Sequence, residues 1–165
     1  MNKVYNKQKI VDQKKLFKIV KKLKKANKKI VMTNGCFDII HPGHVSYLEK
    51  SKKLGDVLIV LLNSDKSIKM NKGKNRPINN LYFRQNVLSG LSSVNYLTSF
   101  KDKTPEKLYK VMKPDILTKG FDMINKSIAG AYYVKKNGGK VKLIKYDKRF
   151  STTKIIKNIN IQSKN

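Results

Sequence analysis

Thr33-Asn34-Gly35-Cys36-Phe37-Asp38-Ile39-Ile40-His41-Pro42-Gly43-His44 decides how the chain reads. Ile30-Val31-Met32 stands before it as an apolar run that predicts a buried strand. Val45-Ser46-Tyr47-Leu48-Glu49-Lys50 follows it at helical spacing. A strand, a loop with glycines and a helix start together offer backbone N–H groups and a partial positive charge to an anion. Both histidines of the chain, His41 and His44, lie in this loop. Imidazoles at a helix mouth add donors that can aim at phosphate oxygens. A metal pair is the competing reading of His-x-x-His, but metal needs more ligands, and the chain has no further histidine and one cysteine, Cys36.

Working outward, 165 residues suit one compact domain with a sizeable core. The longest apolar run, residues 57–62, falls far short of the ~20 residues that span a bilayer. The N-terminus has no apolar signal-peptide core, and a single cysteine permits no internal disulfide, so a cytoplasmic location is expected. The formal net charge is +28. Clustered basic charge points to nucleic acid or an anionic membrane, but here the lysines are spread over nearly every segment. Lys, Asn and Ile are abundant and Arg nearly absent, as AT-rich codons would give. Weak, salt-sensitive association with polyanions is expected, and specific nucleic-acid binding is not. Against so much lysine, the three arginines, Arg76, Arg84 and Arg149, mark places where a planar fork matters. Arg84 falls on a predicted helix, where a structural role suits it.

In chain order, residues 1–9 read as a polar, ragged tail and 10–26 as a packing helix with Asp12 near its start. A strand is expected at 29–33, a helix at 43–54 closed by Gly55, and a strand at 57–62 buried on both faces. Strand ends carry ligands in open α/β sheets, so Asn34, Asp38 and Asp65 should reach one edge. Residues 66–79 read as a basic loop, and 80–93 as a helix with Leu81, Phe83, Val87, Leu88 and Leu91 inward. A strand at 96–100 follows. Then comes a helix capped by Thr104 with Pro105 first, running to Met112. A strand at 115–118, a helix at 125–136, a strand at 141–146 and a helix after Ser151-Thr152-Thr153 complete the pattern. Such alternation predicts an α/β fold with a parallel sheet of about five strands. Residues 1–28 form the tail and packing helix, and residues 29–162 the domain proper.

Taken together, the stretch Thr33–His44, Leu54-Gly55-Asp56, Asn63-Ser64-Asp65, Arg76-Pro77-Ile78-Asn79, Lys113-Pro114-Asp115-Ile116-Leu117, Lys119-Gly120, Gly138-Gly139 and Ser151-Thr152-Thr153 resemble the cytidylyltransferase-like nucleotidyltransferases. Within them, the closer resemblance is to the adenylyltransferase domain of bifunctional heptose 7-phosphate kinase/heptose 1-phosphate adenylyltransferases, over residues 30–160. The resemblance implies a Rossmann-like fold and transfer of AMP from ATP to D-glycero-β-D-manno-heptose 1-phosphate, giving ADP-heptose for lipopolysaccharide core synthesis. It implies catalytic roles for His41, His44 and Lys119. It implies nucleotide or phosphate contacts from Thr33, Asn34, Gly35, Phe37, Asp38, Lys69, Lys72, Arg76, Gly120, Asp122, Ser151, Thr152 and Thr153. Asp65 is a further candidate for substrate or metal. Mg²⁺ is implied with ATP, held largely by phosphates and water. The chain has no room for the kinase, which would be a separate chain, and a homodimer is compatible with the resemblance.

Two departures stand out. Phe121 occupies the place of a family glycine and Met123 that of an aromatic, which bears on pocket shape. Tyr146 sits where some relatives carry an arginine, with Arg149 a candidate substitute. A cytidylyltransferase for glycerol 3-phosphate or ethanolamine phosphate is the alternative on the same scaffold. A basic nucleic-acid-binding protein is the alternative of another class.

Overall fold

The computed structural model describes residues 6–146 and 149–162. Residues 1–5 of the expected tail, and Lys148 ahead of the Ser-Thr-Thr stretch, lie outside them. Five strands form one parallel sheet: β1 (Ile30–Gly35), β2 (Val57–Asn63), β3 (Tyr96–Phe100), β4 (Ile116–Gly120) and β5 (Lys140–Ile144). Their order is β3-β2-β1-β4-β5, a doubly wound, Rossmann-like arrangement whose strand order reverses between β1 and β4. In open α/β sheets such a reversal opens a ligand crevice beyond the carboxyl ends of the strands.

Strand β2 explains why the sheet forms where it does. All seven of its residues are buried, and alternate side chains serve opposite layers. Val57, Ile59 and Leu61 join one core with Leu16 and Val20 of α1 (Gln13–Lys25), Tyr109 and Met112 of α5 (Glu106–Met112) and Val134 of α6 (Ala131–Lys136). Leu58, Val60 and Leu62 join the other with Tyr47 and Leu48 of α2 (Pro42–Lys52) and Leu88 of α4 (Leu81–Ser89). The N-terminal helix is thus part of the same core as the sheet. Asp12 caps it by accepting from the Lys15 N–H at 2.7 Å. Between β2 and α4 lies α3 (Asp65–Lys72), and α7 (Thr152–Gln162) ends the described chain.

Several expectations need correction. Residues 66–79 are not all loop: α3 occupies the first part, capped by Ser64, whose Oγ accepts from the Ser67 N–H. Residues 7–9 form a 3₁₀ turn rather than a ragged end, and Ile10 bridges Leu97 on the sheet edge. Thr104 does not cap α5. Pro105 holds that position without a side-chain bond. The helix expected at 125–136 begins only at Ala131, after a 3₁₀ turn at Phe121–Met123. Helix α2 ends at Lys52, so Gly55 lies beyond its cap. On α4 the inward face was misread: Phe83 and Val87 are more than half exposed, and Arg84 is buried. The helical period alone favours an apolar stripe, but here the buried stripe carries a guanidinium with four polar partners.

Candidate active site

A cleft of about 620 Å³ opens at the β1/β4 switch point, within the range of small-ligand sites. His41 is the N-cap residue of α2 and Pro42 its first helical residue. No side chain caps this helix end, Pro42 has no N–H and the His44 N–H donates to the His41 carbonyl at 2.9 Å, so the dipole and the Gly43 N–H are what the helix start offers a ligand. The rings of His41 and His44 stack with centroids 3.8 Å apart, and Phe37 packs against His44 at 5.1 Å. Phe37 holds a left-handed backbone, φ 46°, a strained state for a bulky residue that clusters at functional loops. Gly35 permits it, since a Cβ there would stand 2.8 Å from the Phe37 ring.

Burial pushes the His44 imidazole down to about 4, helped by the neighbouring His41 and Lys72 and opposed by the Ile39 carbonyl. Burial lowers His41 as well. Both rings are therefore neutral near pH 7, and neither buried Nδ1 has a hydrogen-bond partner. A buried donor or acceptor without a partner costs about 1–3 kcal/mol, a cost a bound phosphate could relieve.

On the β4 side, Lys119 donates to the Asn34 carbonyl at 3.2 Å. Burial lowers its ammonium to about 8, with Asp122 and Cys36 pulling the other way. Asn34 is itself held by the buried Tyr109, whose hydroxyl donates to Asn34 Oδ1 at 3.0 Å. Gly120 has no room for a Cβ, which would collide with the Asp122 carboxylate and lie 2.7 Å from Tyr146 Cε1. Across the cleft, Ser151, Thr152 and Thr153 open α7. Ser151 Oγ accepts from the Lys154 N–H, and Thr152 Oγ1 donates to the Ile39 carbonyl at 3.4 Å. That contact joins the α7 start to the histidine loop.

The cleft thus gathers Asn34, Gly35, Phe37, His41, His44, Lys72, Lys119, Gly120, Asp122, Ser151, Thr152 and Thr153. It leaves five expected residues behind its walls. Thr33 is fully buried, and its Oγ1 lies 2.7 Å from the Tyr47 hydroxyl, which also donates to Thr118 Oγ1. This ties β1 to β4 beneath the cleft. Asp38 is spent on its own loop. It accepts from the Ile78 and Asn79 N–H groups and from Arg76 Nε at 2.7 Å. Arg76 Nη2 lies 2.7 Å from the same oxygen, close as an ion pair but not aligned as a hydrogen bond. Burial raises the Asp38 carboxyl, but these donors outweigh it and hold it below the usual carboxylate value. Arg76 is therefore engaged with Asp38 rather than facing the cleft. Asp65 pairs with Arg84 at 2.7 Å, and Lys69 of α3 does not line the cavity.

Sequence reading missed Tyr47, Asn71 and Lys103 on the cleft wall, whereas Met123, singled out for its bearing on pocket shape, does line it. Lys103 and Asn71 had no signal in so lysine- and asparagine-rich a chain, whereas Tyr47 could have been flagged as a polar tip on a helix beside the signature loop. Phe121 does not fill the cleft. It keeps φ out of the left-handed region and lies under Lys145, whose Nζ is 5.2 Å from the ring centroid. Among the described residues, no group of three or more His, Cys, Asp or Glu side chains could hold a metal. Asp122 is the one carboxylate on the described cavity wall.

With this geometry, the comparisons with known proteins are decisive. The model of the family described as cytidylyltransferase-like matches residues 32–162. The chain belongs to the cytidylyltransferase-like family. It is 49% identical over 150 residues to the bifunctional protein HldE of Haemophilus ducreyi and 50% identical over 150 residues to that of Histophilus somni. Each match covers 91% of this chain but 32% of the relative, so the chain spans about a third of the length of these curated relatives. Among solved structures, the lipopolysaccharide core biosynthesis protein of Thermoplasma volcanium is similar at TM-score 0.59 and 35% identity, over 73% of this chain and 97% of that one. The pantoate-beta-alanine ligase of Francisella tularensis, at TM-score 0.58 and 21% identity, shares the fold; that match covers 88% of this chain and 74% of the ligase. No described helix is long and apolar enough to cross a membrane.

Proposed function

We propose that the chain transfers an adenylyl group from ATP to a heptose 1-phosphate, D-glycero-β-D-manno-heptose 1-phosphate, releasing pyrophosphate. The observation that carries it is the cleft. The stacked His41–His44 pair at the open end of α2 shares one cavity with Lys119 and with the Ser151–Thr153 start of α7. Two helix starts and two neutral imidazoles beside Lys72, Lys103 and Lys119 suit a triphosphate with a second phosphate beside it. The names of the relatives, HldE and a lipopolysaccharide core biosynthesis protein, support heptose as the acceptor.

In the reaction, a phosphate oxygen of the sugar attacks the α-phosphorus of ATP. The bond from that phosphorus to the bridging oxygen breaks, and pyrophosphate leaves with the electron pair. The attacking oxygen is already anionic near pH 7, so no strong general base is required. His41 and His44 donate N–H bonds to α- and β-phosphate oxygens. Lys119 neutralises charge as it builds on the α-phosphate, and Ser151, Thr152 and Thr153 hold the β/γ end. Catalysis is positioning plus electrostatic stabilisation. Mg²⁺ arrives with ATP as part of the substrate, held by phosphates and water, with Asp122 the carboxylate within the cleft.

Pyrophosphate release is the test. The purified chain is given ATP or CTP with heptose 1-phosphate, glycerol 3-phosphate or ethanolamine phosphate. Turnover with ATP and heptose 1-phosphate is expected. Turnover only with CTP and one of the other acceptors would replace this reading with that of a sister enzyme.

A further inference from the structure

We propose that Lys103, on the loop 101–105 between β3 and α5, holds the phosphate of the acceptor while it attacks. This rests on the proposed nucleotidyl transfer, and within it only on the acceptor being a phosphate ester. Among the described residues, three lysines line the cleft: Lys72, Lys103 and Lys119. Lys119 stands against the Asn34 carbonyl at the end of β1. Lys72 is near enough to His44 to disfavour its protonation. Both therefore flank the histidines that face the triphosphate. Lys103 is the cleft cation that no contact with ATP accounts for.

The loop that carries Lys103 is built into place. Asn63 Nδ2, at the end of β2, donates to Ser67 Oγ at 2.9 Å, and Ser67 Oγ donates in turn to the Asp102 carbonyl at 2.6 Å. Asn71 Nδ2, one helical turn further along α3, donates to the Lys103 carbonyl itself at 3.0 Å. Ser67 is fully buried and Asn63 nearly so. A satisfied buried polar relay rigidifies what it holds, here the backbone beneath an exposed lysine. The neighbouring cations are engaged elsewhere. Lys107 lies 3.3 Å from the Asp102 carboxylate, and Lys110 stands 5.5 Å from the centroid of the Tyr133 ring. Lys103 Nζ has no such partner among the described residues.

The order of the strands fixes which phosphate Lys103 meets. In phosphoryl-type transfer the attacking and leaving oxygens lie roughly in line on opposite sides of the phosphorus. The residues for the leaving pyrophosphate, Ser151, Thr152 and Thr153, follow β5 at one edge of the sheet, and Lys103 follows β3 at the other. The histidine loop follows β1, the middle strand. An acceptor entering opposite the leaving group therefore comes from the side of Lys103. Its phosphate is an anion approaching a triphosphate, and a cation on that side offsets the repulsion.

The test is pyrophosphate release with acceptor varied at saturating ATP, then ATP varied at saturating acceptor. Lys103→Gln should raise the acceptor KM about tenfold or more, the usual worth of one charge-assisted hydrogen bond. The ATP KM and kcat should stay within about threefold, the split that marks lost acceptor binding. Lys103→Arg keeps the charge and should keep the acceptor KM within about threefold. Asn71→Ala should raise the same KM by a smaller factor, because it frees the loop and leaves the charge. Lys101→Gln, outside the cleft, should change nothing. If wild type instead turns over CTP with glycerol 3-phosphate or ethanolamine phosphate, the heptose reading fails. The Lys103 comparison then stands with that acceptor, since it too carries a phosphate ester. An unchanged acceptor KM in Lys103→Gln, or an ATP KM that rises by the same factor, would overturn the inference while wild-type turnover is intact.

Discussion

Arg84 Nη1 donates to the Cys36 carbonyl at 2.7 Å, so a helix outside the cleft holds the start of the loop inside it. The same nitrogen reaches the Asn63 carbonyl at 2.9 Å, Nε reaches the Asn79 carbonyl and Nη2 the Asp65 carboxylate. One fork thus joins the ends of β1 and β2 to α4. Arg84→Ala takes the Nη1 donor from the Cys36 and Asn63 carbonyls, and each buried acceptor left unpaired is expected to cost about 1–3 kcal/mol. Arg84→Lys keeps the charge but cannot span four acceptors, and should recover only a minor part. Urea unfolding of both variants checks the order.

How much of this was legible follows from what sequence patterns encode. The alternation of apolar runs set out the strands, and the signature loop set out the cleft, because backbone topology follows from local pattern. The partners of charged side chains did not follow. Arg76 and Asp38 both sit beside the signature motifs, yet they satisfy each other, because a buried carboxylate takes the nearest donors that folding brings to it. Phe121 suggested an altered pocket, but the ring turns towards Lys145, and side-chain direction after a strand end is not written in spacing. Phe83 and Val87 fit a helical core stripe and are exposed. The stripe was displaced by Arg84, whose fork outweighs a simple apolar face.

His44→Ala removes a donor preorganised at the open end of α2. On the proposed reaction it should lower turnover by on the order of 10²–10³, as loss of an oxyanion donor does, with folding intact. Steady-state pyrophosphate release measures it. A variant within tenfold of wild type would remove His44 from the mechanism.

The same residue sets an acid limit on stability. His44 is pushed down from 6.5 to about 4 in the folded chain. Its neutral form is thus favoured by folding above the unfolded value, and that contribution is lost as pH falls from 6.5 towards 4. Between pH 7.5 and pH 5 the loss should approach about 2 kcal/mol. His44→Gln cannot take the proton and should flatten this part of the profile, read as urea midpoints across the range.

Lys119 governs the alkaline side. Burial lowers it from 10.5 to about 8, so the free chain carries the positive charge at pH 7 and loses it as pH rises through 8. Because kcat/KM reports groups of the free enzyme, its alkaline limb should fall near pH 8. A bound triphosphate favours the charged form and raises the value again, so the limb of kcat should lie at higher pH. Lys119→Met holds no charge to lose. It should lower kcat/KM at neutral pH and abolish that limb, leaving a profile flat from pH 7 to 9. An unchanged alkaline limb in Lys119→Met would assign the titration to another group and leave Lys119 without its electrostatic role.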